Sequence, residues 1–265
     1  MKNINKTTLI ILITYLSFII LTPILTNSLD STTKILFGLF GFSIINLISY
    51  FFNKNLKKGL ICLYIYIFLS LFLDIILISL NIFNEITISY LSPIIIILTI
   101  IYFNKEELIN KFYDFKNNFS TYLKTGFNLW FKGLLLMMLF NLIINLFIMK
   151  NIPINETQNR DLISNQLFYS IFSILIVAPL LEELVFRASF KNSFNNYFHY
   201  SLYTGIIFGL IHVLFAGDYI YSLSYAALGF YLGKIYYETD NIYVSMFMHF
   251  FHNLFSLCLI LNGGF

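Results

Sequence analysis

The chain alternates between long apolar runs and short polar breaks. Apolar runs fall at about 7–26, 33–52, 58–82, 86–103, 127–149, 164–182, 200–216, 219–237 and 242–261. Each is near the ~20 apolar residues that a helix needs to cross a bilayer. The pattern predicts an all-α fold, a polytopic transmembrane helical bundle of about eight or nine spans, with 219–237 the weakest of them. The longest polar break, 104–126, carries Leu108, Ile109, Phe112, Phe115 and Phe119 at helical spacings, interleaved with lysines and acids. It predicts an amphipathic helix lying in the headgroup plane with its aromatics in lipid. The break also divides the chain into an N-terminal unit, 1–126, and a unit at 127–265.

Charge placement tests the span count, because cytoplasmic loops are enriched in Lys and Arg. With the N-terminus inside, Lys2, Lys6, Lys54, Lys57, Lys58, Lys105, Lys111, Lys116, Lys124, Arg187, Lys191 and Lys234 fall inside, and Lys34, Lys150 and Arg160 outside. Lys132 sits just within the fifth span. The asymmetry supports nine spans, with the N-terminus cytoplasmic and the C-terminus outside.

Composition agrees. Of 265 residues, 58% are hydrophobic and only 11% charged, with a mean hydropathy of +0.80. Soluble domains carry about 25% charged residues, so the lipid bilayer is the expected partner, and nucleic acid is not. Cys62 and Cys258 stand alone within apolar runs and read as small packing residues. Lys2 and Lys6 precede the first run without a small-residue cleavage site after it, which reads as an uncleaved first helix. Abundant Asn, Ile, Lys and Phe with two arginines suggest an AT-rich bacterial genome, hence a plasma membrane.

Against this apolar background the polar residues inside the runs stand out. Ala178-Pro179-Leu180-Leu181 leads into Glu182-Glu183-Leu184-Val185-Phe186-Arg187. Charge at membrane depth costs roughly 2.5–3.5 kcal/mol per residue on insertion scales. Such residues persist when they pair or do chemistry. Residues four apart share a helix face while neighbours point about 100° apart. Glu183 and Arg187 can therefore pair, leaving Glu182 pointing elsewhere, unpaired and suited to act as a general base. The alternative is an ordinary solvated helix end at the cytoplasmic interface.

Two later runs carry Phe208-x-x-x-His212 and His249-x-x-x-Asn253, with His252 within reach of the second face. Alone, each reads equally as hydrogen-bonding glue between membrane helices. His199, beside two tyrosines, reads as interfacial. Asp74, the acidic residue of the first four spans, reads as packing or snorkelling. Together the late residues complement one another. Glu182 and a histidine can hold and activate water, while the second histidine and the amide can stabilise an oxyanion. Glu182, His212 and His249 would equally suit a Zn²⁺ with an open water position.

The arrangement EExxxR, FxxxH, HxxxN resembles the family of CAAX prenyl proteases and bacteriocin-processing enzymes, the abortive-infection-type membrane proteases. Ala178-Pro179 before the glutamates, and Gly229-Phe230-Tyr231-Leu232-Gly233 followed by Asn241-Ile242-Tyr243-Val244-Ser245, extend the likeness over about 164–261. Ala188 departs from it where a glycine often follows the arginine. The resemblance implies intramembrane peptide-bond hydrolysis. Glu182, His212, His249 and Asn253 hold the essential positions, Glu183 and Arg187 support them, and a polar catalytic chamber opens toward the cytoplasmic side. The expected substrate is a small hydrophobic or membrane-tethered peptide or protein, such as a leader, pheromone or bacteriocin precursor, or a CAAX-like substrate. A non-catalytic bacteriocin-immunity or scaffold protein on the same fold is the alternative. A small proton or ion transporter is disfavoured by the lack of inverted repeats.

Overall fold

Lipid offers no hydrogen bonds to a backbone, so each apolar run satisfies its own peptide groups by coiling. The computed structural model describes residues 6–26, 30–80, 85–148 and 152–262, and all regular structure among them is helical. Helices α1 (Lys6–Thr26) and α2 (Ser31–Phe52) pack together, α2 being capped by Asp30, whose carboxylate accepts from the Thr33 backbone N–H at 3.1 Å. The next span joins α3 (Lys57–Tyr64), a π-helical turn (Ile65–Leu69) and α4 (Ser70–Ser79). Helices α5 (Glu85–Asn117) and α6 (Phe119–Phe147) follow, then a short polar helix, α7 (Ile154–Asn165). Another compound span strings α8 (Leu167–Phe172), a π-helical turn (Ser173–Val177) and α9 (Ala178–Phe186). The chain ends with α10 (Tyr197–Leu214), α11 (Ser222–Thr239) and α12 (Ile242–Leu261).

Among the described residues seven helices are long and apolar enough to cross a membrane, and the protein is an integral membrane helical bundle. Two of the nine runs fall outside that set. The run at 86–103 forms part of α5, where some side chains lie outside the described residues. The run at 219–237 becomes α11, which is rich in serine and tyrosine and carries Lys234 and Glu238. It packs between α10 and α6, so it needs no apolar face toward lipid. Lys2 and Lys150 also lie outside the described residues.

The region 104–126 differs from the in-plane helix its pattern predicts. Residues up to Asn117 continue α5, and α6 starts at Phe119. The aromatics turn partly onto α12: Phe112 and Phe115 pack on Tyr243, with ring centroids 5.7 and 5.8 Å apart, and Phe119 meets Phe247. Amphipathicity alone does not distinguish a lipid-facing stripe from one facing another helix. Asp74 accepts a hydrogen bond from Ser92 at 2.5 Å, tying α4 to α5.

One apolar core runs from Ile11 and Tyr15 of α1 through Leu63 and Ile67 to Phe186, Phe208 and Ile242, so the early spans brace the late ones. Helices α10 and α11 meet backbone against backbone. A methyl group at Gly209 would lie 2.4 Å from the Ser222 carbonyl oxygen, and one at Gly205 would lie 2.7 Å from the Phe230 nitrogen. Gly229 and Gly233 face Phe208 and Thr204 in the same way. Small residues four apart let two backbones meet without the side-chain layer between them. This contact fixes where α10 presents His212.

Candidate active site

The site begins with a proline. In the π-helical turn before α9 the Ala178 N–H bonds back to the Ser173 carbonyl, five residues earlier. The Ile174 carbonyl would next need the N–H of residue 179, and Pro179 has none. Asn253 of α12 takes its place, its Nδ2 donating to the Ile174 oxygen at 2.7 Å. π-Helical turns of this kind recur at functional sites, and this one sits directly before the glutamates.

Glu183 and Arg187 are fully buried, which removes the reading of a solvated helix end. Glu183 Oε1 meets Arg187 Nη1 at 2.9 Å and His249 Nδ1 at 2.9 Å, and its other oxygen takes the Ser245 hydroxyl. Arg187 donates from Nη2 to the Gly229 carbonyl at 3.2 Å and lies 4.4 Å from the centre of the Phe208 ring. The Tyr200 hydroxyl donates to the Arg187 carbonyl at 2.9 Å. One buried charge pair thus ties α9 to α10, α11 and α12.

Glu182 points the other way, into the chamber, with 13% of its side chain exposed. Its Oε2 is buried and has no hydrogen-bond partner. It faces His212 Nε2 at 3.8 Å and His249 Nε2 at 3.9 Å, too far for direct bonds and suited to a bridging water. Each imidazole is oriented through its other nitrogen. His212 Nδ1 donates to the Phe208 carbonyl at 2.8 Å, and His249 Nδ1 to Glu183. A neutral imidazole with its proton on Nδ1 carries a lone pair on Nε2. Three acceptors therefore converge on one spot.

Further residues that sequence reasoning passed over complete the arrangement. Tyr225 stacks on the His212 ring, with centroids 4.8 Å apart, and its hydroxyl accepts from Asn155 of α7 at 3.3 Å. The Trp130 indole N–H donates to His252 Nδ1 at 3.4 Å, the reverse of the other two histidines, so a neutral His252 carries its proton on Nε2. Neither Tyr225 nor Trp130 belongs to a motif, and only the assembled helices bring them in. His199 meets Phe198 and does not line the chamber.

The chamber has a volume of about 410 Å³ and is lined by Glu182, His212, His249, His252 and Asn253. Its lining also includes Asn155, Gln158 and Asn159, which share one face of α7. A larger cavity of about 840 Å³ along α3 and α4 is lined by aliphatic and aromatic side chains with Lys57, and holds no acid–base pair.

For zinc, ligands at ~2.0–2.2 Å stand about 3.3–3.6 Å from one another in a tetrahedral site. The separations of 3.8 and 3.9 Å around Glu182 are wider. Among the described residues no group of three His, Cys, Asp or Glu side chains is placed to hold a metal ion.

Residues 164–255 match the family model described as Type II CAAX prenyl endopeptidase Rce1-like. The resemblance carried by the motifs holds for this segment. YdiL of Bacillus subtilis, whose name marks it as a candidate membrane peptidase, is 34% identical over 90 residues. That stretch is 33% of this chain and 35% of YdiL, so the match spans about a third of either protein. No solved structure gives a significant match. The matched segment contains the EExxxR, FxxxH and HxxxN motifs, while the α7 residues and those of 66–71 that also line the chamber precede it.

Proposed function

We propose that the chain is an intramembrane endopeptidase of the glutamate type, acting on a small hydrophobic or membrane-tethered peptide. The observation that carries this reading is the unpartnered Glu182 oxygen facing two imidazole lone pairs. A water held there donates both hydrogens to acceptors, which leaves an oxygen lone pair free to attack. Glu182, with His212 beside it, takes the proton as that oxygen bonds to the peptide carbonyl carbon. The second amide hydrogen of Asn253 is a donor for the resulting oxyanion, and His252 Nε2–H is another. His249 Nε2 stays an acceptor and helps Glu182 and His212 hold the water. As the C–N bond breaks, Glu182 returns its proton to the amine, and the products are a carboxylic acid and a free amine.

The test compares membrane and secreted peptides, by quantitative mass spectrometry, between cells making equal amounts of wild type and Glu182→Gln. Termini that vanish in the variant name substrate and cleavage site together. Identical peptidomes alongside a deletion phenotype would replace this reading by the immunity or scaffold one. Activity that is lost on chelation and restored by zinc would move water activation from Glu182 alone to a metal held by Glu182, His212 and His249.

A further inference from the structure

The lysine-rich segments gather at one end of the bundle, and the lining of the chamber reaches the other. At the first end, Asn53 Nδ2 donates to the Ser193 carbonyl at 2.7 Å and Asn241 Nδ2 to the Lys111 carbonyl at 3.0 Å. Asp240 holds both Lys111 and Lys191, at 2.6 and 2.8 Å. The turns at 53–57, 187–196 and 239–241 and the C-terminal end of α5 therefore form one face. With them go Lys54, Lys57, Lys58, Lys105, Lys116 and Lys191.

At the opposite end the Tyr219 hydroxyl donates to the Lys34 carbonyl at 2.8 Å, and Asp218 accepts from the Ile154 N–H at 2.9 Å. The start of α2, the turn after α10 and helix α7 thus share the second face, whose described cations are Lys34 and Arg160. The chamber starts deep in the bundle, at Glu182, His249 and Tyr66, and its lining runs to this second face at α7, Phe215, Ala216 and Ile260. It is lined by α7, by Ala178 and Glu182 ahead of Arg187, by His212 to Ala216 at the end of α10, and by α12 from His249 to Ile260. Toward the lysine-rich face it is closed by Glu183, Arg187, Phe186 and Tyr200, all essentially without exposure. A cavity on that face, lined by Lys191, Tyr236 and Asp240 among others, shares no lining residue with the chamber.

Lys- and Arg-rich loops stay in the cytoplasm. We infer that the chamber opens to the exoplasmic side, so that its substrate is the translocated part of a membrane protein or an exported peptide. A prenylated C-terminal tail anchored in the cytoplasmic leaflet would meet the closed face. This departs from the cytoplasmic opening that the family resemblance implies, and it rests on the proposed endopeptidase reading only for the word substrate. The α7 lining suits an extended peptide: Asn155, Gln158 and Asn159 offer donors and acceptors to its backbone, and Leu162 and Ile163 continue the same face as apolar contacts.

Single cysteines test the sidedness without reference to catalysis. Cys62 is fully buried and can stay, while Cys258 is exposed and is replaced by serine in the parent. Gln158→Cys on α7, Ser256→Cys within the chamber and Lys116→Cys on the lysine-rich face are treated in intact cells with a membrane-impermeant maleimide. Labelling of Gln158→Cys and Ser256→Cys above the parent, with Lys116→Cys labelled only after permeabilisation, is the expected result. Labelling of Lys116→Cys in intact cells, with the other two protected, overturns the inference. A protein that labels as expected but cleaves nothing keeps its sidedness and loses the endopeptidase reading.

Discussion

Asn253 occupies the place of a backbone donor that Pro179 lacks, its side-chain amide bonding the Ile174 carbonyl at 2.7 Å across two helices. The third motif is therefore joined to the first through the main chain, and the amide that faces the chamber is fixed by the same contact.

Asn253→Ala strands the Ile174 carbonyl, at a cost of about 1–3 kcal/mol for an unpaired buried group. Pro179→Ala restores an N–H at that position. The double variant Pro179→Ala/Asn253→Ala is therefore expected to unfold in detergent at a higher temperature than Asn253→Ala alone. Strict additivity in this cycle would mean that the proline and the amide are not coupled.

Gly209 makes the second structural prediction. A methyl there would sit 2.4 Å from a backbone oxygen of α11, which cannot give way as a side chain can. Gly209→Ala should cost about 1–3 kcal/mol by overpacking and displace His212, lowering the proposed peptidase activity as well as the melting temperature. Gly126→Ala is the control, because its methyl would meet the flexible side chain of Met248 at 2.9 Å. It should cost less than Gly209→Ala in both readouts.

The site was legible to different depths. Glu182, Glu183, Arg187, His212, His249 and Asn253 stand out because polar groups are costly in apolar runs, and i,i+4 geometry alone pairs Glu183 with Arg187 and orphans Glu182. The ties between helices were not legible. Nothing in the sequence joins Glu183 to His249 or Trp130 to His252, since both depend on how α6, α9 and α12 pack. The Gly205/Gly209 and Gly229/Gly233 spacings carried a usable signal, the small-residue pattern of close membrane helices, as did Pro179 beside an acidic pair. The 104–126 region misled because a periodic apolar face says only that something apolar covers it. Residues 219–237 looked weak as a span because α11 is covered by protein rather than lipid.

Asp240, in the turn between α11 and α12, gives a pH prediction. Burial pushes its carboxyl up, but Lys111 and Lys191 outweigh this and hold it below the ordinary carboxylate range. A depressed value in the fold stabilises above the unfolded value of about 3.9 and is lost as pH falls through the folded one. The side chain is 60% exposed, so screening by solvent keeps the contribution under about 1 kcal/mol. Asp240→Asn should be slightly less stable than wild type at pH 7. The difference should close below about pH 4, and also in high salt. A gap that ignores both pH and salt would point to packing instead.

The two adjacent glutamates should separate stability from chemistry. Glu183 neutralises Arg187 where neither side chain is exposed, and it also holds His249. Glu183→Gln leaves a buried guanidinium without its partner charge, a loss of about 3–5 kcal/mol, and should appear first as a large fall in melting temperature. Glu182 Oε2 has no hydrogen-bond partner to lose. Removing its charge relieves three facing acceptors, so Glu182→Gln should melt at or above the wild-type temperature. The same change removes the proton acceptor, for which a loss of about 10²–10⁴-fold in kcat is expected. Melting curves and turnover on one peptide, measured for both variants, decide the assignment. If Glu182→Gln unfolds early while Glu183→Gln stays stable and inactive, the roles of the two carboxylates are exchanged.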